Sequence, residues 1–505
     1  MRTSFLTALV LASISLVSAA PLQARGGGGP PPPPPKGKGG DAETGKSGSV
    51  DGGSVYNGSP YYYYGSISNG VKANSGGDGG LTKSGAALGG NGPGGGGSAL
   101  SGDTGSAYGG DVVNSATYIS NSYKANSGGD GGKAISGSAT GGNAWKRGGM
   151  PPPPPPKGKG GDAETGKSGS VDGGSVYNES PYSWGGSIYN GVKANSGGDG
   201  GLTKSGAALG GNGPGGGGSA LSGGTGSSNG GDVANVATYI SNSYKANSGG
   251  DGGKAISGSA TGGNAWKRGG MPPPPPPKAK GGDAETGKSG SVDGGSVYNE
   301  SPYYYGSIYN GVKANSGGDG GLTKSGAALG GNGPGGGGSA LSGGTGSSNG
   351  GDVANAATYI SNSYKANSGG DGGKAISGSA TGGNAWKRGG MPPPPPPKGK
   401  GGDAETGKSG NANGGSVYND AGYWGTVING AKANSGGDGG LTKSGAALGG
   451  NGPGGGGSAL SGDTGNANGG DVANYGAVIY NGYKANSGGD GGKAISGSAT
   501  GGNAW

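Results

Sequence analysis

The chain has 505 residues, of which 144 are Gly and 32 are Pro, so these two types make up about 35% of it. Leu, Ile, Val and Phe together account for 51 residues, about 10%, whereas a chain with an ordinary hydrophobic core has more than roughly 20%. The formal net charge is +8, and Cys and His are both absent. This composition excludes disulfides, thiolate or imidazole metal sites, and catalysis through a Cys nucleophile or an imidazole base. We expect no enzyme activity, no metal and no cofactor.

The amino terminus has the pattern of a secretory signal peptide. A basic start at Arg2 precedes an apolar run from Phe5 to Val17, and small residues follow it. We predict a signal peptide at residues 1–19, cut after Ala19, and a short propeptide at residues 20–25 that ends at Arg25. The apolar run is shorter than the roughly 20 residues of a membrane-spanning helix. The sequence therefore predicts secretion to the extracellular space or cell wall, without a membrane anchor.

Four tandem units follow, each introduced by six prolines. The element Lys-Ala-Asn-Ser-Gly-Gly-Asp-Gly-Gly occurs twice in every unit, always 52 residues apart. The predicted units are residues 26–145, 148–266, 269–386 and 389–505. Hexaproline forms a stiff polyproline II segment, which we interpret as a spacer rather than as a ligand for an adaptor domain.

A Lys-Arg pair stands at every junction between units, and dibasic pairs occur nowhere else in the chain. Processing proteases of the subtilisin type bind such a pair as an exposed, extended strand. We predict cleavage sites at residues 146–147, 267–268 and 387–388, formed by Lys146, Arg147, Lys267, Arg268, Lys387 and Arg388. Arg25, which lacks a preceding Lys, marks the predicted removal of the propeptide.

With its signal peptide, its repeats and the three Lys-Arg junctions, the chain resembles the fungal kexin-processed repeat proteins. This family includes secreted repellent precursors and precursors of ribosomal cyclic peptides. The resemblance covers the architecture of the whole chain and rests on no aligned domain. It implies a kexin-type processing protease as a partner. The units, of 117 to 120 residues, are longer than signalling or cyclic peptides.

Two repeated motifs resemble binding sites but lack the context that such sites need. The run from Gly40 to Ser47 satisfies the phosphate-loop pattern, but no buried strand precedes it and no helical pattern follows it. Eight Gly-Gly-Asp-Gly-Gly elements resemble calcium-binding β-roll repeats, yet their Asp residues lie far apart, and calcium needs six to eight converging oxygens. We interpret both motifs as turn-forming sequence. The Arg-Gly-Gly triplets coincide with processing sites, so we expect no nucleic-acid partner.

Candidate surface features remain in two groups. Asn57, Asn178 and Asn299 each begin an Asn-x-Ser sequon and are candidate N-glycosylation acceptors. Aromatic residues concentrate in Tyr-rich windows at residues 61–64, 182–184, 303–305 and 423–424. These windows are either adhesive segments that pair between molecules, or loosely buried aromatics and spacer variation.

The fold expected from this composition is a mainly disordered, low-complexity chain. No apolar helical period occurs outside the signal peptide. Short strand candidates are Ser-Val-Tyr-Asn, Tyr-Gly-Ser-Ile and Ala-Thr-Tyr-Ile-Ser-Asn-Ser-Tyr. Because Gly loses the most conformational entropy on ordering and little apolar area offsets that loss, ordered structure is the second expectation. Its form would be thin, Gly-rich, β-solenoid-like or irregular β units.

The predicted function is that of a secreted precursor, cleaved at its Lys-Arg pairs into four near-identical Gly-rich polypeptides. These would act as extracellular surface, wall or matrix material and would self-associate. Every unit holds seven Lys and seven Asp or Glu, and a low net charge favours association. Two alternatives remain: a precursor of short bioactive or cyclic peptides from the Tyr-rich windows, and a secreted effector that binds a host molecule.

Overall fold

The Gly-rich chain is ordered into stacked β coils. The computed structural model describes residues 37–59, 64–145, 158–180, 185–266, 279–302, 305–386 and 399–504. In this part of the chain there are 48 strands and no helix, and hence no helix that could span a membrane. The strands form six parallel sheets of eight strands each. The expectation of a mainly disordered chain is therefore wrong, and the architecture corresponds to the second expectation, a thin solenoid-like stack.

Six consecutive strands make one coil, and every predicted unit supplies two coils. The strands of coils 1 to 4 are β1 (Ala42–Glu43), β2 (Val55–Gly58), β3 (Ser66–Asn69), β4 (Asn74–Ser75), β5 (Leu81–Lys83), β6 (Ala87–Leu88); β7 (Ala99–Leu100), β8 (Val112–Ser115), β9 (Tyr118–Asn121), β10 (Asn126–Ser127), β11 (Lys133–Ile135), β12 (Ala139–Thr140); β13 (Ala163–Glu164), β14 (Val176–Glu179), β15 (Ser187–Asn190), β16 (Asn195–Ser196), β17 (Leu202–Lys204), β18 (Ala208–Leu209); β19 (Ala220–Ser222), β20 (Val233–Val236), β21 (Tyr239–Asn242), β22 (Asn247–Ser248), β23 (Lys254–Ile256), β24 (Ala260–Thr261).

Coils 5 to 8 repeat the same order. Their strands are β25 (Ala284–Thr286), β26 (Val297–Glu300), β27 (Ser307–Asn310), β28 (Asn315–Ser316), β29 (Leu322–Lys324), β30 (Ala328–Leu329); β31 (Ala340–Ser342), β32 (Val353–Ala356), β33 (Tyr359–Asn362), β34 (Asn367–Ser368), β35 (Lys374–Ile376), β36 (Ala380–Thr381); β37 (Ala404–Thr406), β38 (Val417–Asp420), β39 (Thr426–Asn429), β40 (Asn434–Ser435), β41 (Leu441–Lys443), β42 (Ala447–Leu448); β43 (Ala459–Leu460), β44 (Val472–Tyr475), β45 (Val478–Asn481), β46 (Asn486–Ser487), β47 (Lys493–Ile495), β48 (Ala499–Thr500).

Equivalent strands of successive coils pair in register. The first strands of all coils form sheet 1, the second strands form sheet 2, and so on to sheet 6. Ile188, for example, is paired with Ile119 in the coil before it and Ile240 in the coil after it. The three strand candidates of the sequence are confirmed by sheet 2 and sheet 3, which hold β2, β3 and β9.

The side-chain core is thin and consists of columns of small residues. Ala side chains of sheet 1 and sheet 6 pack against one another, as Ala99 and Ala139 do in coil 2. Sheet 3 contributes a column of Ile and Val, and sheet 2 a column of Val. In the inner coils, each strand of sheets 1, 2, 3 and 6 therefore buries only one aliphatic residue, and this is why a low aliphatic content suffices.

Glycine backbones join the opposite walls of every coil. In one line of such hydrogen bonds, which we call a glycine seam, Gly198 donates its N–H to the carbonyl oxygen of Gly174, and Gly231 donates to that of Gly198. The line runs from Gly53 to Gly489, and each bond in it crosses from one wall to the other. A second seam runs from Gly40 to Gly502. A Cβ atom on Gly198 would lie 2.0 Å from the carbonyl oxygen of Gly129, so only Gly fits there. Backbone hydrogen bonds thus occupy the space where a larger core would lie.

Candidate functional surfaces

Three columns of Asn run through the interior of the stack, one each from sheets 2, 3 and 4. Asn235 is fully buried and accepts hydrogen bonds from the Nδ2 atoms of Asn178 and Asn190 at 2.9 and 3.1 Å. Its own Nδ2 donates to Oδ1 of Asn299 at 2.9 Å. Because these bonds satisfy the buried amides and link successive coils, the columns stabilise the stack and fix its register. We call them the Asn ladders.

The members of the Asn ladders recur at the same place in every coil. Those of sheet 2 are Asn57, Asn114, Asn178, Asn235, Asn299, Asn355, Asn419 and Asn474; those of sheet 3 are Asn69, Asn121, Asn190, Asn242, Asn310, Asn362, Asn429 and Asn481; those of sheet 4 are Asn74, Asn126, Asn195, Asn247, Asn315, Asn367, Asn434 and Asn486.

All three predicted glycosylation acceptors belong to the sheet 2 ladder. Asn178 and Asn299 are each only 1% exposed, and each donates its Nδ2 to the next coil at 2.9 Å. Asn57, in coil 1, is half-buried and donates to Asn114 at 2.8 Å. A glycan is attached through the same Nδ2 atom and needs a path to solvent, so a glycan and the ladder exclude one another at the two buried positions.

We accordingly expect no glycan on Asn178 or Asn299 in the folded, exported protein. Peptide mapping by mass spectrometry after treatment with a deglycosylating amidase, which converts a glycosylated Asn to Asp, should find Asn at both positions. Conversion of either one to Asp would show that the ladder does not form in the exported protein.

A stack of tyrosines lies on the outer face of sheet 3. The rings of Tyr118, Tyr189, Tyr239, Tyr309 and Tyr359 follow one another with centroid separations of 5.3 to 5.5 Å and tilted planes. Each such ring pair stabilises the fold by about 0.5–1.5 kcal/mol beyond the contribution of its buried apolar area. The sequence interpretation missed this stack. Its signal was the alternation of Tyr-Ile-Ser-Asn with Ser-Ile-Tyr-Asn in successive half-units.

The Tyr-rich windows lie between sheet 2 and sheet 3 and are only partly within the described residues. Where the structure describes them, their side chains point to solvent: Tyr64, Tyr305, Tyr423 and Trp424 are 94%, 91%, 83% and 84% exposed. These four side chains therefore contribute little to the folded core. Residues 61–63, 182–184 and 303–304 lie outside the described residues.

Eight lysines, one per coil, form a row, and those of coils 2 to 8 line a groove of about 1090 Å³ together with Ser and Asn residues. All eight have a left-handed backbone, with φ between 47° and 52°, a conformation uncommon for residues other than Gly. In the even coils the ammonium group lies 5.5 to 5.7 Å from the centre of the preceding Tyr ring. The row consists of Lys72, Lys124, Lys193, Lys245, Lys313, Lys365, Lys432 and Lys484.

The Asp residues of the Gly-Gly-Asp-Gly-Gly elements form a second row. Each carboxylate accepts the backbone N–H of the equivalent Asp in the next coil, as Asp130 does from Asp199 at 3.0 Å. Among the residues that the structure describes, no three acidic side chains converge to hold a metal ion. The row thus makes structural bonds between coils.

The phosphate-loop pattern also takes part in coil stacking. In its first copy, Ala42 and Glu43 form β1, and Lys46 makes an ion pair with Asp103 of coil 2 at 2.9 Å. In the third copy, Gly282 belongs to the second glycine seam. No helix follows any of the copies in the described chain, so the pattern lacks the helix amino terminus that binds phosphate.

Several acidic groups have displaced pKa values. Burial raises the pKa of Asp172 and Asp232. Burial also raises the pKa of Asp199 and Asp319, and the Asp carboxylates of adjacent coils add to the increase. In contrast, Lys46 and then a backbone N–H lower the pKa of Asp103, which is half-buried.

These shifts predict that the stack is more stable in mild acid than at neutral pH. A folded-state pKa above the unfolded value gives a stabilisation that is present below the unfolded pKa, about 3.9, and is lost as the pH rises through the folded pKa. Asp103 acts oppositely, as do Asp41 and Asp403, whose pKa is lowered mainly by a backbone N–H that the carboxylate accepts. The contributions of these three groups are lost as the pH falls below about 4. We expect the urea midpoint to rise between pH 7 and about pH 4.5.

Asp172→Asn tests this assignment. Its Oδ1 accepts the N–H of Asn229, an amide oxygen makes the same bond, and coil 4 carries Asn at the equivalent position. The variant should be more stable than the parent at pH 7 and should show a smaller gain in mild acid. A variant that is less stable at pH 7, or a parent whose midpoint falls with acidification, would contradict the assignment.

The predicted processing sites lie outside the described residues, as do Ala19 and Arg25. These sites are Lys146, Arg147, Lys267, Arg268, Lys387 and Arg388. The residues directly before them are described: Trp145, Trp266 and Trp386 are 51%, 48% and 44% exposed. Each site falls between an even coil and the next odd coil, and coils 2 and 3 pair in all six sheets across it.

The chain matches no protein-family model. A search of curated proteins also finds no match.

Proposed function

We propose that the protein is exported, cut by a kexin-type protease at its three Lys-Arg pairs, and used outside the cell as rigid surface, wall or matrix material. The observation that supports this function is the continuity of six in-register sheets through all eight coils. Near-identical units joined in this way give a long, uniform surface. Such repetition suits a material, whereas a catalyst needs a few reactive groups placed at one point.

Rigidity follows from the bonds between coils. Each coil is joined to the next by six strand pairings, by the Asn ladders and by the two glycine seams. Parallel sheets with in-register amide ladders are the arrangement that makes cross-β assemblies resistant to unfolding. Material of this kind keeps its shape without disulfides, which the chain cannot form because it has no Cys.

In this proposal, cutting at a Lys-Arg pair breaks the chain without separating the units. The cut removes one covalent link, while coils 2 and 3 still share the pairing of Ile119 with Ile188 and the hydrogen bond from Asn114 to Asn178 at 2.8 Å. Processing then changes the mechanical continuity of the chain and frees the hexaproline segments at one end. The polypeptides stay in one assembly.

Mass spectrometry of wall extracts and culture fluid tests the proposal. We expect polypeptides that end at Trp145, Trp266 and Trp386, enriched in the wall fraction. Arg147→Ala should join the first two units and leave the other cuts unchanged; Lys159→Ala, a change outside the pairs, is the matched control. Recovery of only the intact chain, soluble in the medium, would contradict both the processing and the material role.

A second candidate function is that of a secreted effector that binds a host molecule. The row of lysines favours it, because left-handed backbone at eight non-Gly positions is a cost that often accompanies function. The groove suits an extended polyanion that meets one ammonium group per coil. Loss of binding to an immobilised acidic polysaccharide on Lys193→Gln, Lys245→Gln and Lys313→Gln combined would support this candidate, and equal retention of variant and parent would reject it.

The third hypothesis, short peptides from the Tyr-rich windows, requires cuts on both sides of each window. Dibasic pairs flank the units and not the windows. The same mass spectrometry experiment would reveal such peptides.

A further inference from the structure

The outer face of coil 8 exposes core positions that are covered in every inner coil. Ile479 of sheet 3 is 39% exposed, whereas Ile119, Ile188, Ile240, Ile308 and Ile360 in the same column are fully buried. Ala494 of sheet 5 and Ala499 of sheet 6 are exposed and Val472 of sheet 2 is half-buried, whereas their equivalents in the inner coils are buried. Repeat proteins generally cover such faces with a polar terminal repeat. Coil 8 instead has the sequence of an inner coil.

The Asn ladders give the stack a direction. In every column the Nδ2 atom of one coil donates to Oδ1 of the next coil, as Asn419 does to Asn474 at 2.8 Å. In the described chain no hydrogen bond uses Nδ2 of Asn474 or Asn481, and none reaches Oδ1 of Asn57 or Asn69. The coil 8 face thus presents amide donors, and the coil 1 face presents amide acceptors.

The complementary interface already exists three times within the chain. Even coils dock onto odd coils at the junctions of coils 2 and 3, 4 and 5, and 6 and 7, with equivalent residues paired in all six sheets. Coil 8 is an even coil and coil 1 is an odd coil. A hexaproline segment precedes coil 3 as it precedes coil 1, and coil 3 pairs with coil 2 regardless. The prolines are therefore compatible with this interface.

We propose that the coil 8 face binds the coil 1 face of a second copy of this chain, head to tail. Ile479 would stack on Ile67, and Asn474 would donate to Asn57, as Asn114 donates to Asn178 inside the chain. Because the two faces differ, the contact does not close on itself, and repeated docking gives an open filament. This docking does not depend on processing.

Two variants test this proposal in the uncut chain, purified from a host without the processing protease. Ile479→Lys places a charge in the core column of the coil 8 face, and Ile67→Lys does so in coil 1. Their controls, Tyr480→Lys and Ser68→Lys, carry the same charge on the neighbouring outward position. Sedimentation velocity and negative-stain electron microscopy then report the size of the particles.

We expect the parent chain and both controls to form filaments that lengthen with concentration, and each core variant alone to remain a single chain. An equal mixture of the two core variants should give particles of twice the single-chain mass and nothing larger, because one intact face remains on each partner. The mixture should give the same particles even if the coil that carries the substitution unfolds locally, because the opposite end of each chain is unchanged.

Three results would overturn the proposal. The first is a parent chain that stays single at all concentrations, as it would if the residues before coil 1 covered that face. The second is a core variant that dimerises alone, which would show that like faces pair. The third is a mixture that does not associate.

Discussion

Gly198→Ala is expected to destabilise the stack by about 3–5 kcal/mol, because the added Cβ would lie 2.0 Å from the carbonyl oxygen of Gly129 and 2.5 Å from its carbonyl carbon. Both atoms belong to one carbonyl group in the preceding coil, whose oxygen accepts the N–H of Gly174 in the glycine seam. This carbonyl group cannot move away without breaking that bond. Urea unfolding followed by circular dichroism, together with limited proteolysis, measures the effect.

Gly58→Ala is the matched control for this substitution. A Cβ at Gly58 meets no atom within 4 Å, and the same position of sheet 2 carries Ser115 and Glu179 in the next two coils. This change should be neutral or should stabilise by up to about 1 kcal/mol through the unfolded state. Equal effects of the two substitutions would show that successive coils are not packed this closely along the glycine seam.

Asn235→Asp should cost about 3–5 kcal/mol at neutral pH, since it places a charge at a fully buried position and removes the donor to Asn299. The two lone pairs that accept from Asn178 and Asn190 remain. A protonated carboxyl group regains a donor, so the loss should shrink in mild acid. The urea midpoint at pH 7 and at about pH 4.5 measures both effects.

Asn212→Asp is the control, with the same atoms and the same charge. Asn212 is half-buried, and its Oδ1 accepts the backbone N–H of Asn264 at 2.7 Å, a bond that an Asp carboxylate makes equally well in the Asp row. We expect a change below about 0.5 kcal/mol. A comparable loss in both variants would mean that the ladder donors contribute nothing to the stack.

Local strand pattern could be predicted from the sequence, and the strands of sheets 2 and 3 match it. Composition alone favours disorder over the ordered stack, because it counts Gly only as an entropic cost. Gly198 and Gly174 contribute by their positions, which let two walls meet. Their hydrogen-bond partners lie in the facing wall or the adjacent coil, and no periodicity over a short window reveals such neighbours.

The role of several surface residues also depends on neighbours in adjacent coils, which the sequence alone does not reveal. The sequons at Asn178 and Asn299 indicated exposed acceptors, but the Asn recurs in every half-unit, and only three-dimensional stacking shows that it belongs to a ladder. The Lys-Arg pairs, in contrast, are visible in the sequence alone, because a protease of this kind reads an extended chain, and cleavage at them stays a prediction. What the structure adds to them is their place between paired coils.

The size of the fully cut protein under native conditions tests the central claim most directly. The purified chain is cleaved to completion at its three Lys-Arg pairs, confirmed on a denaturing gel, and then examined by sedimentation velocity without denaturant. The continuous stack predicts particles at least as large as the uncut chain, with no species of single-unit size. Four separate particles, each about a quarter of the chain, would contradict it.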